Sequence, residues 1–117
     1  MITLKGTITK AVVAFGLTFP QAVLSDEFTA ADVLEWPTAS QDSYFDTSIG
    51  MIAIVATQTG AHGHVADCLN NWYWTKEGND PEKNALIREV MGNLSGYDPQ
   101  AVILAVVEKH CGTFKPD

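Results

Sequence analysis

The chain contains two cysteines, Cys68 and Cys111, 43 residues apart. Joined, they force any fold to bring the middle of the chain against its end. Whether they join depends on compartment, because disulfides persist in oxidising surroundings and are rare in the cytosol. The amino end bears on that question. Residues 1–10 carry Lys5 and Lys10 and no acid, and residues 11–19 are apolar. Pro20 and Gln-Ala-Val-Leu-Ser follow, and the first acids are Asp26 and Glu27. A basic head, a short apolar middle and a small-residue exit are the three parts of a secretory signal. Cleavage after Ser25 places Val23 and Ser25 at the third and first positions before the cut. The expectation is a signal peptide over residues 1–25 and one domain over residues 26–117, periplasmic or secreted. A buried strand or helix over 11–19 is the competing reading. That run is far shorter than the ~20 residues of a membrane helix. No later stretch is long enough either, so no membrane partner is expected after cleavage.

In an oxidising compartment the cysteine pair reads as a disulfide. Two buried free thiols are the alternative, and the spacing is not that of a zinc knuckle. Closing a loop of this length contributes about 4 kcal/mol by chain entropy. That matters in a single domain of this size, whose core is modest and for which a staple is expected.

Without residues 1–25, all 14 acids remain against five bases: Lys76, Lys83, Arg88, Lys109 and Lys115. The net charge is then about −9. Such a chain does not displace counterions from a phosphate backbone, so nucleic acid is not an expected partner. Anionic membrane surfaces are disfavoured for the same reason. A cationic protein partner suits the charge, as does plain solubility.

The remainder reads as helices, with no repeat or linker. Residues 29–36 form a short helix capped by Thr29 and stopped before Pro37. A second is predicted from Thr38, with Thr38 and Gln41 at capping-box spacing. It runs to near Gln58, amphipathic at first and then nearly all apolar, with Gly60 as its stop. The β-branched content of 49–56 makes a strand the competitor there. A third covers about 64–74, with Val65, Cys68, Leu69, Trp72 and Tyr73 in one stripe. A loop over 76–80 follows. Asp80-Pro81 and Asp98-Pro99 open the last two helices, each with Asp as cap and Pro in the first turn. The fourth carries the stripe Leu86, Val90 and Leu94, with Ile87 and Met91 alongside, and ends at Gly96. Residues 101–107 are apolar all round, as in a central buried helix. The fold class is therefore all-α, a small bundle of about five helices stapled by one disulfide.

Chemistry-bearing residues are sparse. His62-Gly-His64 opens the third helix, and two histidines so close suggest copper or zinc. Their spacing lacks the i, i+4 geometry that sets two imidazoles on one helix face, and exposed loop histidines are the plainer reading. Asp42 and Asp46 at i, i+4 suggest a carboxylate pair, but a solvated helix face explains them better. There is no nucleophile elbow, phosphate loop or His-Glu-x-x-His. An enzyme and a cofactor are not expected. Asn93-Leu-Ser95 matches a glycosylation sequon, which carries meaning only in a eukaryotic source. The cluster Trp72-Tyr73-Trp74 stands out. Trp72 and Tyr73 belong to the apolar stripe, whereas Trp74 lies off it beside a polar loop, as binding anchors often do, and Trp74 and Tyr73 are candidate partner contacts. Packing under that loop is the alternative. Trp36, before Pro37, is a second candidate anchor, or the corner between two helices.

Tyr97-Asp-Pro99-Gln-Ala-Val102, then Cys111 and Phe114, make a Pro-opened helix bearing a disulfide cysteine shortly before a Phe. This resembles the last section of the HdeA-like group of small exported helical proteins, which includes acid-stress chaperones. The Rap1a/Tai-like immunity proteins are also similar, with a Tyr near a Gly in an early helix, as in Tyr44 and Gly50 here. The HdeA-like proteins place their first cysteine near where this chain has Leu34-Glu35-Trp36, whereas here it waits until Cys68. Neither family supplies a catalytic motif. The resemblance implies an exported, non-enzymatic protein that binds another protein, as an immunity protein or inhibitor. The alternatives are an acid-stress chaperone that exposes residues 102–107 when its carboxylates neutralise, and a metal-handling protein using His62 and His64.

Overall fold

A computed structural model describes residues 27–114. The expected signal segment lies outside the described residues. The described residues form five helices: α1 (Ala30–Leu34), α2 (Thr38–Gln58), α3 (Gly63–Trp72), α4 (Pro81–Asn93) and α5 (Pro99–Cys111). Two short strands, β1 (Trp74–Thr75) and β2 (Gly78–Asn79), lie between α3 and α4. None of the described helices is long and apolar enough to cross a membrane.

The start signals act locally. The Thr29 backbone N–H donates to Asp32 Oδ2 at 2.8 Å. Asp80 accepts from the Glu82 N–H, and Asp98 from those of Gln100 and Ala101. Each aspartate thus satisfies amides that a helix leaves unpaired at its first turn. The first amides of α1 find tertiary partners as well. Ala30 donates to the Tyr97 carbonyl at 2.8 Å and Ala31 to that of Ser95 at 3.0 Å. These bonds fasten α1 to the α4–α5 connection.

The start of α2 differs from the capping box predicted on Thr38. Pro37 is the cap, with extended backbone, and Thr38 is already helical. Gln41 turns inward instead, 5 % exposed, and its Nε2 donates to the carbonyls of Leu34 (3.2 Å) and Trp36 (2.9 Å). It satisfies carbonyls left open at the end of α1 rather than amides at the start of α2.

The third helix ends at Trp72, two residues before its expected end. The predicted loop is an antiparallel hairpin, with Trp74 opposite Asn79 and Thr75 opposite Gly78. Gly78, at φ +114°, supplies the backbone conformation that the turn needs. The Thr75 hydroxyl closes it by donating to the Gly78 carbonyl at 2.9 Å.

The core is built from Val33, Phe45, Ile49, Val65, Leu69, Tyr73, Ile87, Met91 and the inner face of α5. In α4 the buried line is Asn84, Ile87 and Met91, while Leu86, Val90 and Leu94 are only partly covered. In α5, Val102, Ile103, Val106 and Val107 are buried. That helix touches all four others, as a central one should. It is not buried all round, however: Ala101, Leu104 and Ala105 remain exposed. Four short helices do not encircle a fifth.

Cys68 and Cys111 are bonded, with Cα atoms 5.5 Å apart, so the middle of α3 is tied to the end of α5. Replacing both with serine is expected to lower stability by about 3–4 kcal/mol, read by urea denaturation at neutral pH. Reduction of the wild type should give a similar loss.

Candidate functional site: an apolar groove between α2 and α5

Tyr44, Ser48, Met51, Ile52 and Val55 follow one another at helical spacing and share one face of α2. Gln100 and Leu104, one turn apart, face them from α5. At one end the helices are tied by Gln100, whose Nε2 donates to the Tyr44 hydroxyl oxygen (2.6 Å) and to Ser48 Oγ (2.9 Å). Beyond that tie the helices leave an open cavity of about 260 Å³, lined by Ser48, Met51, Ile52, Val55, Gln100, Leu104 and Phe114. Five of the seven lining residues are apolar. Met51 is 59 % exposed, Val55 44 % and Leu104 37 %.

Phe114 closes the far end. Its backbone N–H donates to Glu108 Oε2 at 3.1 Å, and the His62 ring stacks on its ring at 4.9 Å. His62 in turn lies 2.9 Å from the Thr59 hydroxyl through Nδ1. The His62 and His64 ring centroids are 6.3 Å apart. Among the described residues, no group of three His, Cys, Asp or Glu side chains gathers where a metal ion would be held. Gly112, at φ +99°, passes so close to His64 that a Cβ there would meet Nε2 at 3.1 Å. The histidine pair thus packs around the chain end that carries Phe114.

The aromatic candidates separate. Tyr73 has no exposed surface, so it is core and not a partner contact in this fold. Its hydroxyl donates to Asn84 Oδ1 at 2.6 Å, and Asn84 Nδ2 donates to Asn79 Oδ1 at 2.8 Å. Burial pushes its pKa well above the usual tyrosine range, and the nearby carboxylates of Asp46 and Asp42 add to that. Trp74 is half-buried, with its indole N–H donating to Asp46 Oδ1 at 2.7 Å. Packing at the hairpin therefore describes Trp74 better than a free anchor. Asp42 pairs with Arg88 at 2.7 Å. The two carboxylates of the i, i+4 pair thus serve separate partners. Trp36 is also half-buried, its ring 5.6 Å from that of Phe28 and 5.4 Å from that of Tyr44. Through Tyr44 it borders the head of the groove. Of the three aromatic candidates it alone is tied to this face.

Met51, Val55 and Leu104 were not among the residues singled out from sequence. The available signal was the run at 49–56, whose apolar residues wrap more of the helix than one core can cover. Compared with known protein families, curated proteins and solved structures, the chain matches none.

Tyr73 yields a test of the packing behind α2. Its folded pKa is raised, so its contribution to stability is intact below about pH 10 and is lost as pH rises beyond that. Tyr73→Phe should cost about 1–3 kcal/mol at neutral pH, because Asn84 loses its donor. It should also remove part of the alkaline loss. Denaturation midpoints from about pH 8 to 11, with absorbance at 295 nm, check both.

Proposed function

We propose that this chain is an exported, non-catalytic protein-binding domain of the immunity or inhibitor kind, and that its working surface is the groove between α2 and α5. One observation carries the reading. Six large apolar side chains are well exposed among the described residues: Phe28, Met51, Ile54, Val55, Tyr97 and Leu104. Three of them line one cavity, and Ile54 adjoins them on α2. Scattered exposed apolar residues need no explanation, but a contiguous patch over a cavity marks an interaction surface. The disulfide supports an oxidising compartment. A bridged bundle also presents a preformed groove, which lowers the ordering cost of binding.

A second reading, the acid-responsive chaperone, is favoured by two contacts. Asp46 holds the hairpin through Trp74, and Asp42 holds α4 through Arg88, so both ties to α2 depend on carboxylates. Strong acid that protonates them would loosen that side. Circular dichroism and an apolar dye followed from pH 7 to about 2 separate the readings. The inhibitor reading expects retained helix and little dye binding, whereas loss of packing with strong dye binding favours the chaperone.

The main reading is tested by capture from a periplasmic extract with the oxidised protein. Leu104→Glu and Met51→Glu should each lose the captured protein, while Glu77→Gln in the hairpin turn should keep it. Retention by both groove variants, with circular dichroism unchanged, would contradict the assignment. A captured effector should also lose its activity when bound.

A further inference from the structure

Resting on the groove as the binding surface, we infer that its occupant is a cationic amphipathic helix about three turns long, presented by another protein. The shape argues for a helix. The α2 wall from Tyr44 to Val55 holds 12 residues, or about 16 Å at the helical rise. Gln100 and Leu104, one turn apart on α5, face it. Both walls are helices whose backbone groups are used within them. The groove therefore has no strand edge for an extended peptide to pair with. An occupant must satisfy its own backbone and contribute side chains only. A helix bearing apolar residues at i, i+3 or i+4, and i+7 does this, as in other groove-binding complexes.

The charge is set by what surrounds the trough. Among the described residues no cation lines it, and the polar groups at its head, Tyr44, Ser48 and Gln100, are bonded to one another. At the other end stands Glu108, half-buried, its Oε2 taken by the Phe114 N–H. Among the described residues this is the sole hydrogen bond of that carboxylate. The described residues carry 12 acids against four bases, and two of those bases, Lys83 and Arg88, are in ion pairs with Asp80 and Asp42. A basic residue at the Phe114 end of the occupant therefore meets Glu108, which the exposed Lys109 follows, on a chain with a large excess of acids. A second copy of this chain would bring like charge to the same place.

The probe is a 14-residue helical peptide with leucines at i, i+4, i+7 and i+11 and lysines flanking that stripe. Its counterpart has glutamate for each lysine. Both are titrated by calorimetry into the oxidised protein recovered from the periplasm of an expressing host. The lysine peptide should bind about tenfold or more tightly than the glutamate peptide, with a preference that shrinks in high salt. Leu104→Glu should weaken it by about tenfold. Glu108→Gln should reduce the lysine preference about threefold while the fold, checked by circular dichroism, is kept. Equal binding of the two peptides overturns the charge assignment and leaves the groove as the binding surface. Failure of both peptides, with a captured protein still lost on Leu104→Glu, overturns the helix assignment alone. Self-association abolished by Leu104→Glu gives the groove to a second copy and overturns the inference.

Discussion

The position of α5 depends on the Cys68–Cys111 bond. The bond closes the end of α5 onto the middle of α3, just before Gly112 turns the chain back past His64. From there the chain reaches Phe114, which His62 and Glu108 hold at the end of the groove. Without the bond the last turn of α5 would be free to fray, and the far wall of the groove would lose its stop. The covalent constraint is thus both a stabilising element and the fixed point of the groove proposed as the binding surface. A disulfide of this kind acts mainly on the unfolded chain, by removing conformations that a modest core could not outweigh.

The two sides of α2 have opposite characters. Toward α4 and the hairpin, Asp42 and Asp46 are engaged by Arg88 and Trp74, and the Tyr73–Asn84–Asn79 chain of hydrogen bonds lies nearby. Polar groups there have partners in the fold. Toward α5, the Gln100 tie to Tyr44 and Ser48 is polar, and Met51, Val55 and Leu104 present exposed carbon. A bundle of this size can cover one side of its longest helix and not the other. The exposed side remains available for a partner.

Helix ends were legible in the chain because their signals are local. Asp80-Pro81, Asp98-Pro99 and Gly60 act within a few residues of themselves, and the structure uses each of them, whereas α4 stops at Asn93 with Leu94 as its cap, before the expected Gly96. The hairpin was not legible: each strand has two residues, too few for an alternating pattern. Gln41 was misplaced for a different reason, and the partner of Trp74 was not legible. Their partners, the carbonyls of Leu34 and Trp36 and the carboxylate of Asp46, are set by how elements pack. The groove was the least legible feature. Residues 49–56 and 101–107 are apolar on most of their circumference, so periodicity cannot say which strip the fold leaves open. Trp36 reads as an anchor or as the corner between two helices, and it lies at the corner between α1 and α2, its ring near those of Phe28 and Tyr44.

The proposed function has partners met on the α2–α5 face. Methyl resonances of the methionines test it most directly, because Met51 stands over the groove while Met91 lies in the core with no exposed surface. With ¹³C-methyl-labelled methionine, adding the captured protein should shift or broaden the Met51 signal and leave that of Met91 in place. An unmoved Met51 signal, with the Trp74 indole N–H shifting instead, would contradict the account and place binding on the opposite side of α2.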